Sequence, residues 1–221
     1  QYDREYDEVP GGPVISCEAA SPTGQHRLGA AVCYSFDREP SRSKYLVGSP
    51  RDQMMRWTLT LDKGEHTSLS VIGALTSTAQ VADPRHEAER LAIFARFEGR
   101  NRLMAKHVAA WSELWERDIV IEGDLDAQRD VRFALYNLVA SVRAGSRRSI
   151  PPMGLSSMGY NGHIFWDAEL WMVPPLFALH PELARACLDY RLDRLDAARQ
   201  KAAAHGFEGA MFPWDSADPG E

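Results

Sequence analysis

A chain of 221 residues with 44% apolar and 25% charged residues is long enough to bury a sizeable core and has the composition of a soluble globular protein. Its 31 acidic against 25 basic residues leave a net charge of −6, which argues against a nucleic-acid-binding face. No apolar run reaches the roughly 18 residues needed to span a bilayer.

Cys17, Cys33 and Cys187 are too few and too scattered for a disulfide framework or a C-x-x-C metal site. Cys17 and Cys33 fall in predicted strands and are close enough in sequence to pair; as small apolar residues they are expected unpaired. The start, "QYDREYDEVPGG", is acidic and polar and does not read as a signal peptide. A signal removed before residue 1 would leave no trace, so a cytoplasmic and an exported protein both stay open.

In chain order, the first ~80 residues read as strands. "HRLGAAVCYSF" is one. In "RWTLTLDKGEHTSLSVIGALTST" Trp57, Leu59 and Leu61 alternate with threonines, Lys63–Gly64 makes a turn, and Leu69 and Val71 alternate with serines. That is a hairpin pattern, and the region is expected to be antiparallel sheet belonging to a sandwich. At Asp83 the pattern becomes helical. Asp83 suits an N-cap, Pro84 the first helical position, and Gly99 the end. A second helix follows with Leu103, His107, Trp111, Leu114 and Trp115 on one side, His107 being read as a packed residue. The pair looks like a connector.

"DIVIEGD" is a short strand or extended link, after which Asp126 opens a helix with Val131, Leu135, Leu138 and Val142 inward. Arg143, Arg147 and Arg148 read as a solvated loop. "SIPPMGLSSMGYNGH" is a long irregular loop, a frequent place for function. A helix from near Trp166 should run to His180. Pro181 should open another that reaches Gly206, with Ala184, Leu188, Leu192 and Leu195 as its apolar stripe. No βαβ alternation is present, so a nucleotide-binding α/β fold is not expected.

Two places gather aromatic and acidic residues: His163, Phe165, Trp166, Asp167 and Glu169, and then Phe212, Trp214, Asp215 and Asp218. A tryptophan beside an aspartate suits a sugar. The indole packs on the C–H face of a pyranose, and the carboxylate accepts from two adjacent hydroxyls. The competing reading makes Trp166 ordinary core and Asp167 a helix cap. His163 and Asp167 stand at i, i+4, but no third metal ligand is nearby. A phosphate loop and a nucleophile elbow are absent from the sequence.

The stretch from Gly154 to Glu221 carries "GxxGHxFWD", "HPExAR", "YRxxxLxxAxxxAxxxGxxGAxFPW" and "SAxxGE" in order. Together these resemble the start of the catalytic domain of glycoside hydrolase family 65. That family includes maltose, trehalose and kojibiose phosphorylases, acid trehalases and glucosylgalactosylhydroxylysine glucosidases. The resemblance implies an α+β multidomain fold. Residues 1–82 would be part of an N-terminal antiparallel β-sandwich, 83–118 a helical linker, and 119–221 the first helices of an (α/α)6 barrel.

The resemblance further implies that Trp166 and Asp167 bind the innermost glucosyl unit and that Trp214 and Asp215 line the same pocket. Asp215 departs from the family's usual glutamate. No catalytic residue is expected in this chain: the general-acid glutamate would lie beyond Glu221, and the inverting pair it belongs to stands about 6.5–9.5 Å apart. The chain is thus expected to be part of a longer α-glucoside hydrolase, an inverting phosphorylase and a silent carbohydrate-binding module being the alternatives. "WDAELWMVPPLFALHPELARA" favours the hydrolase branch. The implied partners are a small carbohydrate and the rest of the same polypeptide, with neither cofactor nor metal, neither nucleic acid nor membrane; a homodimer is compatible with it.

Overall fold

Side chains that alternate between half-buried and exposed, as at Met55, Trp57 and Leu59, are what a strand with one covered face requires. A computed structural model describes residues 2–4, 14–49, 52–157 and 159–217, which form two compact units, 1–111 and 112–221.

The first unit contains two three-stranded antiparallel sheets. One orders β1 (Tyr2–Arg4), β4 (Arg42–Ser49) and β5 (Asp52–Thr58) with β4 central. The other orders β2 (Ile15–Ala20), β3 (Arg27–Phe36) and β6 (Leu69–Ser77) with β3 central. The turn after Leu61 is present: the Glu65 N–H donates to the Asp62 carbonyl at 3.0 Å, and Gly64 takes φ 89°.

The strands on either side of that turn do not form the expected hairpin. β5 pairs with β4, and β6 pairs with β3. The physical reason is length. Residues 59–68 separate the two strands, far more than a tight turn needs, so the chain is free to cross to the other sheet. Trp57 still faces β3, its ring 4.4 Å from that of Tyr34 and 5.2 Å from that of Phe36.

α1 (Pro84–Glu98) lies against β3 and β6. Asp83 caps it, accepting from the His86 N–H at 3.2 Å, and Gly99 ends it at φ 82°. Ala88 and Ala92 of the helix meet Ala31 and Cys33 of β3, all four fully buried. Small residues on both sides let the helix come close. At Gly29 a Cβ would stand 2.2 Å from the Pro84 carbonyl oxygen, and the Thr76 hydroxyl donates to that same oxygen at 2.5 Å.

α2 (Arg100–Leu114) buries no residue completely. Its stripe is half-buried at Leu103, Trp111 and Leu114. His107, expected to be packed, is exposed, its ring 6.3 Å from that of Trp111.

In the second unit, α3 (Leu125–Ser141) begins one residue earlier than the sequence suggests. Asp124 rather than Asp126 is the cap, accepting from the Asp126 and Ala127 N–H groups at 3.0 and 2.9 Å. Gln128, Leu135 and Val139 are its buried residues. Gln128 holds the extended link before the helix: its Oε1 accepts from the Ile121 N–H at 2.6 Å and its Nε2 donates to the Ile119 carbonyl at 2.9 Å. Arg147, read as part of a solvated loop, is tied down instead; its guanidinium pairs with Asp193 (Nε–Oδ2 2.8 Å) and reaches Asp189 at 3.6 Å.

The predicted helix from Trp166 to His180 is composite. A π-helical stretch, Ala168–Met172, leads into α4 (Val173–Leu179), and the Val173 N–H reaches back to the Ala168 carbonyl. Pro174 and Pro175 have no N–H to give the carbonyls four residues back, so the ordinary helical ladder cannot pass through this point. Leu170 and Phe177 are exposed at 47% and 66%, whereas Ala168, Val173 and Leu176 are buried.

The helix predicted from Pro181 to Gly206 is two: α5 (Pro181–Leu192) and α6 (Leu195–Ala204). The interruption falls at Asp193, whose carboxylate Arg147 holds. The buried face of α5 is Leu183, Ala184, Ala186, Cys187 and Tyr190, while Leu188 and Leu192 of the expected stripe face outward. The three cysteines are free, Cys17 exposed and the other two buried. Among the described residues no helix is long and apolar enough to cross a membrane.

Candidate functional site

The loop rich in glycine and serine ends in a single 3-10 turn, Gly159–Gly162. Two consecutive non-glycine residues there, Tyr160 and Asn161, hold φ of 56° and 54°. Left-handed backbone at a bulky residue costs free energy and persists only where surroundings enforce it. The Tyr160 ring stands edge-on to Phe165 at 5.3 Å.

Next comes β7 (Ile164–Phe165), which pairs antiparallel with β8 (Asp215–Ser216) in the register Ile164↔Ser216 and Phe165↔Asp215. The following position of that register sets Trp166 opposite Trp214. Their ring centroids are 5.4 Å apart with the planes tilted by 53°, and they are 41% and 68% exposed. The two Trp-Asp pairs, 48 residues apart in sequence, thus become one aromatic corner.

The two aspartates differ. Asp167 is half-buried in helical geometry and makes no side-chain capping hydrogen bond, so the cap reading does not hold. Asp215 Oδ2 lies 2.9 Å from His163 Nδ1. His163 therefore has Asp215, not Asp167, as its partner. Among the described residues no group of three or more His, Cys, Asp or Glu converges as a metal site. Asp218 lies outside the described residues.

A residue to which the sequence reading gave no role joins these pieces. Arg191 of α5 grips Glu169 with Nε–Oε1 at 2.8 Å and Nη2–Oε2 at 2.9 Å. It also donates to the Phe165 carbonyl at 3.1 Å and to the Ser216 hydroxyl at 3.1 Å. Tyr190 places its hydroxyl 2.8 Å from Ser216 Oγ, and Ser216 is fully buried. The signal for Arg191 was weak, because an arginine within a charged helix reads as solvated. Cys187 of the same helix is buried, and burial pushes its thiol up, which disfavours the thiolate.

An exposed pair of indoles with adjacent carboxylates offers a flat apolar face beside hydrogen-bond acceptors. Residues 132–221 match the glycosyl hydrolase family 65 central catalytic domain, and the chain belongs to glycoside hydrolase family 65. Along 94% of its length it is 44% identical to a kojibiose hydrolase of Flavobacterium johnsoniae, and along 97% it is 46% identical to a kojibiose hydrolase of Mucilaginibacter mallensis. These matches cover 31% and 33% of the two relatives, so the chain spans about a third of the length of the curated relatives it matches. A kojibiose phosphorylase of Thermoanaerobacter brockii is 43% identical over 56% of this chain and 16% of its own. A solved structure of a candidate kojibiose phosphorylase from human microbiome shares the fold at TM-score 0.78 and 20% identity, covering 97% of this chain and 29% of that one.

Proposed function

We propose that the polypeptide carrying this chain is an inverting α-glucoside hydrolase that cleaves a glucose disaccharide of the kojibiose type. The observation that carries the reading is the Trp166–Trp214 corner with its two flanking carboxylates. In it the indoles pack on the C–H face of the non-reducing glucosyl unit, and Asp167 accepts from adjacent hydroxyls. Asp215, held by His163 through one oxygen, lines the same pocket. The general acid and the group opposing it come from the remainder of the polypeptide, about 6.5–9.5 Å apart as inversion requires.

Within this reading residues 1–82 are part of a β-sandwich, 83–118 a helical linker, and 119–221 the opening helices of an (α/α)6 barrel. Hydrolysis is favoured over phosphorolysis because the hydrolase relatives are 44% and 46% identical along nearly the whole chain, whereas the phosphorylase that is 43% identical matches along 56% of it and the phosphorylase structure that spans 97% is 20% identical.

The test is glucose release from kojibiose by the full polypeptide with and without inorganic phosphate. Release without phosphate is expected; a strict phosphate requirement transfers the reading to a phosphorylase. Trp166→Ala and Asp167→Ala should each weaken substrate binding about tenfold or more, as loss of a central contact does. Wild-type binding in both variants would remove the glucosyl site from this corner.

A further inference from the structure

We infer that Arg191 is the positioning residue of the Trp166–Trp214 corner: one guanidinium reaches the chain on both sides of both Trp-Asp pairs, through one backbone carbonyl and three side chains. The inference rests on the glucosyl-binding reading above and assigns to Arg191 no contact with the sugar.

The geometry is specific. Ahead of Trp166, Nη2 binds the Phe165 carbonyl at 3.1 Å; just past Asp167, Nη2 and Nε clamp both oxygens of Glu169. Just past Asp215, Nη1 binds the Ser216 hydroxyl, and two residues ahead of Trp214 the guanidinium carbon stands 5.9 Å from the centre of the Phe212 ring. The Arg191 side chain is only 12% exposed, so solvent screening is weak, and a planar fork holding four partners is something a lysine cannot reproduce. The strand pairing between the two segments is only two residues long, too short to fix an indole pair by itself. Arg191 reaches all of this from a helix whose inner face is buried, which gives the corner a rigid mount.

Two coupled indoles so close give an exciton couplet in far-ultraviolet circular dichroism, and that signal reads the corner without substrate. In the full polypeptide, Trp166→Phe and Trp214→Phe each abolish the couplet and identify it. Arg191→Lys and Glu169→Gln are then expected to diminish the couplet and raise KM for kojibiose about tenfold, with kcat changed much less and the thermal transition still cooperative. If Arg191→Lys fails to fold, Glu169→Gln carries the test alone. A full couplet and unchanged KM in the folded variants overturn the positioning role, even where Trp166→Ala still loses binding. Conversely, if Trp166→Ala binds normally while Arg191→Lys loses the couplet, the glucosyl reading fails and the positioning of the indole pair stands.

Discussion

At the residue scale, small polar groups set ionisation as firmly as large ones set packing. Asp37, just after β3, accepts from the Ser68 N–H at 2.6 Å and the Thr67 hydroxyl at 2.8 Å, and these bonds hold its carboxyl down at about 2. A depressed carboxylate contributes stability that is complete above the unfolded value of about 3.9 and disappears as the pH falls through the folded one. Asp37→Ala should therefore lower the melting temperature at pH 7, and the gap to wild type should close between about pH 4 and pH 2. Thermal melts across that range check it; a gap that persists unchanged at low pH would contradict the sign. Residue chemistry is also where the sequence was most informative about the site. Two Trp-Asp pairs could be picked out because tryptophan beside aspartate is uncommon in a plain core. Arg191 stood as a fixed position in one of the quoted blocks, but nothing in its neighbours reveals that a charged side chain turns inward to four acceptors and a ring.

Elements were legible in kind and less so in partnership. Alternation identified β3 and β6, and Asp83, Pro84 and Gly99 marked the limits of α1, because each of these signals is local. Which strand pairs with which is decided by a ten-residue connection and a second sheet, and local alternation is silent about both. The stripe of α5 failed for another reason. The face that packs is chosen by fit, and Ala184, Ala186 and Cys187 allow a closer approach than Leu188 or Leu192. The seat of α1 on β3 obeys the same rule and makes a prediction. Gly29→Ala puts a methyl carbon 2.2 Å from a backbone oxygen that cannot swing away. The helix must lift, at a cost of about 1–3 kcal/mol or more. Urea denaturation of the variant should show the midpoint falling; an unchanged midpoint would mean that the helix seats itself less tightly than the geometry requires.

For the whole molecule, family membership was readable because it is spread over four blocks in a fixed order, from Gly154 to Glu221, rather than resting on one short motif. Under the proposed inverting mechanism, an α-linked disaccharide must release its non-reducing glucose as the β-anomer. Proton NMR in the first minutes of turnover, before mutarotation, should show β-glucose accumulating from that ring; α-glucose would demand a retaining mechanism instead.

The turn at Tyr160 and Asn161 carries a conformational cost that its side chains impose. Both residues hold a left-handed backbone that glycine adopts without penalty. Tyr160→Gly would relieve that cost. The ring that meets Phe165 would go with it, loosening the approach to β7. At Tyr160 a strained backbone is thus exchanged for an aromatic contact that glycine could not make.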